Sequence, residues 1–197
     1  MGNKVDSFLN ELRIKLLDDF DCLKSFCSGV ESMDSFIRND FHMSVENHYC
    51  NAYIVKYQDE VVAVFALSFD SLDLDFDDKE ELEMGISPTG TPDIDWNYKN
   101  TFYAKPRYPA LDIAYLAVQE KWRGRGVGSL LIDTIAEKAR LQNFAGCQFL
   151  TVEALATNVY SAVGFYQRCG FTANEVKKPY KDTLRMFCTL YTNREEE

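Results

Sequence analysis

Residues 111–152 read as strand, glycine turn, helix and strand, and few folds accept that order. The run LDIAYLAV at 111–118 reads as a strand. The turn Arg123-Gly124-Arg125-Gly126-Val127-Gly128-Ser129 follows. Val127, Leu130, Leu131, Ile135 and Ala139 then recur at helical spacing, predicting an amphipathic helix to about Gln142. Asn143 and Gly146 can stop it, and CQFLTV at 147–152 predicts a second strand. A strand that returns through a helix comes back in its original direction, so the two strands should pair in parallel.

Glycines let the turn close tightly and let a ligand approach its backbone. The unpaired N–H groups of the first helical turn then face outward with the positive end of the helix dipole, which suits an anion. Arg123 and Arg125 add charge-assisted donors for phosphate oxygens. A pyrophosphate is the natural guest. The turn is not a P-loop, for G-x-x-x-x-G-K-[ST] is absent, and a dinucleotide fingerprint begun at Gly124 and Gly126 finds Ser129 where its third glycine belongs.

Around this unit, residues 51–56 and 61–68 predict an antiparallel hairpin across Gln58-Asp59-Glu60. Residues 33–41 predict a short helix with Phe36, Ile37 and Phe41 on one face. A second helix is expected over 159–168 and a closing strand over 183–191. Residues 69–96 are rich in Asp and Glu, then in Gly and Pro, and read as an acidic insertion or long loop reaching to about residue 100. Asp73, Asp75 and Asp77 alternate as in a calcium loop, but Asp78 stands where the turn glycine belongs and Met84 where the bidentate Glu belongs. A solvated acidic face is the better reading. The expected architecture is α+β, with a mixed, mostly antiparallel sheet, one parallel strand pair and helices on both faces, in a single domain over 1–197.

Composition excludes several roles. Cys22, Cys27, Cys50, Cys147, Cys169 and Cys188 are scattered, with no C-x-x-C pair and only His42 and His48 to join them. Reduced thiols are expected rather than disulfides or zinc. No run is long and apolar enough for a membrane span, and the charged N-terminus resembles no signal peptide. Gly2 invites lipidation, but Asp6 occupies the place of the required Ser or Thr. A cytoplasmic protein is expected. The net charge of −10 opposes non-specific nucleic-acid binding, with Lys121, Arg123 and Arg125, and Lys177, Lys178 and Lys181, as local exceptions.

The pattern Arg123-x-x-Gly126-x-Gly128 resembles the signature [Q/R]-x-x-G-x-[G/A] of the GNAT superfamily of N-acetyltransferases. Phe165-Tyr166 and Cys169-Gly170-Phe171 resemble that family's later FY-x-x-x-GF segment, and Leu116-Ala117-Val118 its cofactor-side strand. The resemblance implies acetyl-coenzyme A as co-substrate, with its pyrophosphate on Arg123, Gly124, Arg125, Gly126, Val127, Gly128 and Ser129. It places the pantetheine arm beside Leu116, Ala117 and Val118, with residues 147–152 as the other wall and Asn158 as a polar contact. The Val118 amide would meet the oxyanion, and Tyr166 would protonate the departing thiolate, with Tyr160 a poorer choice. No general base is readable: Asp112 and Glu153, on or beside the two strands, read as structural or solvated carboxylates, with a proton relay through water as the other reading, and Trp122 reads as a packing residue.

Phe26-x-Ser28-Gly29-Val30 and Met33-Asp34-x-Phe36-Ile37 are similar to the F-x-C-G…L-D-x-F-L segment of the acetylating toxins within that superfamily, with Ser28 in place of Cys. This implies an amine acceptor and admits a homodimer or an antitoxin-type protein partner. Those toxins acetylate aminoacyl-tRNA, a substrate that an acidic chain is poorly suited to hold. A small amine and a protein amino group therefore stand level with it. The other reading is a catalytically idle coenzyme-binding or interaction module with the same fold.

Overall fold

A computed structural model describes residues 8–174 and 180–192, so Gly2, Asp6, Lys177 and Lys178 lie outside the described residues. The strands are β1 (Arg13–Leu16), β2 (Asn51–Tyr57), β3 (Glu60–Leu72), β4 (Tyr108–Val118), β5 (Phe149–Leu155), β6 (Thr172–Ala173) and β7 (Thr183–Thr189). The helices are α1 (Glu31–Asn39), α2 (Phe41–Glu46), α3 (Phe76–Met84), α4 (Lys99–Tyr103), α5 (Val127–Leu141) and α6 (Val163–Arg168). Hydrogen bonding orders the strands β1-β2-β3-β4-β5-β7-β6. The pairs β1–β2, β2–β3, β5–β7 and β6–β7 are antiparallel, and β4–β5 is parallel, as the strand–helix–strand order requires. The fold is mixed α+β. The chain divides into two compact units, Met1–Ser68 with Ile113–Thr134, and Phe69–Asp112 with Ile135–Glu197.

In the first unit the β2–β3 hairpin turns through Gln58 and Asp59, with Gln58 in the left-handed region at φ 54°. Six successive residues of β3, from Val61 to Ala66, are buried, which is why this stretch reads as continuous apolar sequence. Leu23, Phe26, Ile37 and Phe41 pack with Ile54 and Val64 into the unit's core. The helix expected over 33–41 starts earlier and stops at Asn39, because Asp40, at φ −119° and ψ −20°, caps it and Phe41 opens α2. Phe36 stacks on Tyr115 at 4.2 Å, so the apolar face expected of this segment does form.

The Ser28-Gly29 and Asp34 motif has a structural purpose. Asp34, buried at 3% exposure, accepts hydrogen bonds from the Ser28 N–H at 2.6 Å, the Gly29 N–H at 3.3 Å and the Cys27 thiol at 3.4 Å. Burial pushes its carboxyl up, and those donors outweigh burial to leave it below its ordinary range. Gly29 lies at φ 76°, where a Cβ would meet the Glu120 carboxyl carbon at 2.9 Å. No other residue fits there without a shift.

In the second unit the acidic stretch is built rather than loose. Asp75 caps α3 by accepting from the Asp78 N–H at 2.8 Å, and the Asp78 carboxylate answers the Asp75 N–H at 3.3 Å. This capping box turns alternating carboxylates into a helix start, and Gly85 ends the helix in the left-handed region. The long loop expected here is therefore a strand end, a helix, a 3-10 turn at Trp96–Tyr98 and α4. Asp73 pairs with Arg107 at 2.9 Å, and no group of metal-ligating side chains forms among the described residues. Leu72, Leu74, Leu82 and Phe102 pack with Tyr108, Ala110, Phe149 and Phe187 into this unit's core.

Candidate active site

The first unit carries the glycine turn. After β4 the Gln119 N–H bonds the Val62 carbonyl and the Glu120 N–H the Cys27 carbonyl, each at 2.9 Å, which fixes where the strand ends. Gly124 and Gly126 both take left-handed backbone, at φ 70° and 83°. A Cβ at Gly124 would meet nothing within 4 Å, and one at Gly126 only Leu9 at 3.5 Å. Backbone conformation, not crowding, is what demands glycine here. The Leu130 N–H returns to the Gly126 carbonyl at 3.0 Å, so the amides of Val127, Gly128 and Ser129 precede the first intrahelical bond of α5.

Arg123 and Arg125 are exposed beside that turn. The Arg125 guanidinium lies 4.8 Å from the ring centre of Trp122, which stacks on Phe8 at 4.9 Å. Trp122 thus packs, as its sequence position suggested, and offers its ring to the Arg125 guanidinium. Leu116, Ala117 and Val118 close β4, with Ala117 buried and its two neighbours half-buried.

The second unit carries the titratable groups. Tyr166 sits on α6, 5% exposed, against Phe165 and Phe171. Burial raises its phenol pKa, and Tyr160, Cys169 and Asp112 push it further the same way. The phenol is therefore held in its proton-bearing form at any physiological pH. The helix expected from residue 159 begins at Val163 instead. The Thr157 hydroxyl accepts the Tyr160 N–H at 2.9 Å, and a bridge between Ala156 and Ser161 closes a turn over the intervening residues. Asn158 is exposed in that turn, five residues before α6.

The parallel ladder of β4 and β5 runs only from Ala110↔Phe149 to Asp112↔Thr151. At its last rung the Thr151 hydroxyl lies 3.1 Å from Asp112 Oδ1 and 2.6 Å from Asp70 Oδ2. Arg185, opposite Glu153 in the β5–β7 register, contacts the Asp70 carboxylate and lies 3.9 Å from both Asp112 and Glu153. Burial lifts the Asp112 pKa to about 6, and the Asp70 and Glu153 charges add to the rise against Arg185 and the Thr151 hydroxyl. Asp70 is pushed up by burial, but Thr151, Arg185 and the Ser71 N–H bring it below its ordinary value. Sequence reasoning named Asp112 and Glu153, chiefly as structural or solvated carboxylates, and missed Asp70, Thr151 and Arg185. The readable signal was Arg185, one charge inside the otherwise uncharged strand TLRMFCT.

All six cysteines are free, with Cys27 exposed, and no helix among the described residues is long and apolar enough to cross a membrane. The sequence pattern of the acetyltransferase (GNAT) domain family matches residues 94–173. No curated protein matches the chain. Solved structures do. A bacterial toxin superposes with TM-score 0.63 at 18% identity, over 91% of this chain and 90% of that one. AtaT complexed with acetyl-methionyl-tRNAfMet gives 0.61 at 19%, over 88% and 93%. A tyrosine-to-phenylalanine mutant of KacT gives 0.62 at 17%, over 91% and 95%. Residues 94–173 thus match the acetyltransferase (GNAT) domain pattern, and the chain shares its fold with these solved structures.

Proposed function

We propose that this chain is an N-acetyltransferase that moves the acetyl group of acetyl-coenzyme A to a primary amine. The observation that carries the reading is the turn at 123–129. Two left-handed glycines open the backbone ahead of a 15-residue helix, with one exposed arginine before them and one between them. That donor set suits a pyrophosphate. A structure of AtaTR bound with acetyl-CoA, at 20% identity and TM-score 0.62, supports the same co-substrate.

When bound, acetyl-CoA supplies an activated acyl thioester. The amides of the turn hold its pyrophosphate, Leu116, Ala117 and Val118 offer backbone to the pantetheine arm, and Asn158 offers a side-chain contact. The Val118 N–H stabilises the developing oxyanion, and Tyr166 delivers a proton to the departing sulfur. A raised phenol pKa makes Tyr166 a weak acid, so its proton moves only as the acceptor nitrogen sheds its own.

For the acceptor, aminoacyl-tRNA gains support from AtaT complexed with acetyl-methionyl-tRNAfMet, and a small amine or protein amino group from the net charge of −10. AtaT has also been solved with the C-terminus of its antitoxin AtaR, which supports an antitoxin-type partner. The test is thiol release from acetyl-CoA with small amines, peptides and aminoacyl-tRNA in parallel. Release with one class identifies the acceptor. Coenzyme binding without release from any of them would make the chain an idle coenzyme-binding module.

A further inference from the structure

Thr151 is fully buried and has one hydroxyl proton, yet it touches two carboxylates, Asp70 at 2.6 Å and Asp112 at 3.1 Å. One hydroxyl donates once. With both carboxylates ionised, the hydrogen goes to Asp70 at the shorter distance and the Asp112 oxygen faces an oxygen lone pair. One added proton on Asp112 removes the conflict, since Asp112 then donates to Thr151 while Thr151 donates to Asp70. Asp70 is held in place by Arg185 and by the Ser71 N–H at 2.8 Å, so it stays the ionised end of the chain.

We propose that Asp112, Thr151 and Asp70 act as one proton-holding relay that accepts the ammonium proton of the acceptor during acetyl transfer. The inference rests on the N-acetyltransferase reading above. Strand register builds the relay, for Asp112 and Thr151 are partners in the β4–β5 ladder, and Arg185 and Glu153 in the β5–β7 ladder. The charged and titratable groups that face Asp112 are Asp70 from β3, Glu153 from β5, Arg185 from β7 and Tyr166 from α6. Lys181 sits on Glu153 at 3.2 Å.

The acceptor ammonium gives one proton to Asp112, and the freed lone pair attacks the thioester carbonyl carbon. The C–S bond breaks, Tyr166 gives its proton to sulfur, and the second proton of the nitrogen restores the phenol. Asp112 then releases its proton to water. Asp70, Thr151 and Arg185 act through Asp112 as positioning residues.

Two readouts separate the relay from the reading beneath it. Carboxyl carbon NMR follows Asp112 directly in the full chain, without any acceptor. In the wild type it should titrate near 6. In Asp70→Asn it should titrate about one unit or more lower, because a like charge beside it is gone. That displacement should shrink in a Thr151→Val background and persist in Thr151→Ser. An unmoved Asp112 titration, or an equal displacement in all three backgrounds, overturns the relay. The pH profile of thiol release should lose rate below about 6 in the wild type and shift with Asp112 in Asp70→Asn. A profile that stays while the titration moves overturns the catalytic role. Absence of thiol release from every acceptor class, with the NMR couplings intact, overturns the acetyltransferase reading instead.

Discussion

Tyr166 and Asp112 occupy one unit and face opposite electrostatic demands. The phenol is kept protonated by burial, so Tyr166→Phe removes a proton donor and little volume. Thiol release should fall about 100-fold or more, the scale of a lost general acid. Coenzyme affinity, read by calorimetry, should hardly change. Equal rates for variant and wild type would remove Tyr166 from the chemistry. Asp112 makes a stability prediction as well. Its folded pKa of about 6 lies above the unfolded carboxyl value, so its favourable contribution is full below pH ~4 and is lost as pH rises through ~6. Asp112→Asn should therefore raise the melting temperature at pH 7–8 relative to wild type, with the gain vanishing toward pH 4. Activity at pH 7 should fall in the same variant. A more stable, slower protein is the signature of a carboxylate kept ionised at a cost for function.

At the scale of elements, the turn and the Asp34 anchor make separable predictions. Gly126→Glu places a side chain at φ 83° and a carboxylate among the amides that would hold a pyrophosphate. Coenzyme binding should be abolished, whereas Gly126→Ala should keep measurable binding and lose roughly 1–2 kcal/mol of stability. Undiminished affinity in the glutamate variant would mean the coenzyme binds elsewhere. Asp34→Ala strips three donors of their shared acceptor and should cost about 2–3 kcal/mol in denaturant melts. The parallel strand pair, the hairpin and α5 were legible because their apolar periodicity is long and their turns carry glycine or short polar links. The end of α1 and the start of α6 were not. Asp40 and Thr157 decide those boundaries, the one through its backbone angles and the other through a single hydroxyl, and neither leaves a periodic trace. The Asp70–Thr151–Asp112 relay was invisible for another reason, since its members lie 42 and 39 residues apart along the chain and only strand register joins them.

For the whole molecule, charge is the property most changed by knowing where it lies. Residues 69–96 hold ten acids and one base, so nine of the ten net negative charges belong to this single stretch and the remainder is nearly neutral. The acidity of the chain therefore weighs less against a polyanionic acceptor than its total suggests. Asp77, Glu80 and Glu81 are exposed on α3 and have no basic partner among the described residues. Replacing them with Asn, Gln and Gln should lower KM for aminoacyl-tRNA several-fold at low salt, with the effect fading as salt screens it, and leave KM for small amines unchanged. An unchanged KM for both would place α3 too far from the acceptor path to matter. The same stretch cannot be treated as a removable ornament. Leu72, Leu74, Leu82 and Phe102 come from it or its borders, and they cover Phe149 and Phe187 on the strands that hold Thr151 and Arg185. An engineer who trimmed the chain toward a minimal fold would thus uncover two core phenylalanines and unseat the strands beneath, trading an acidic surface for an aggregating one.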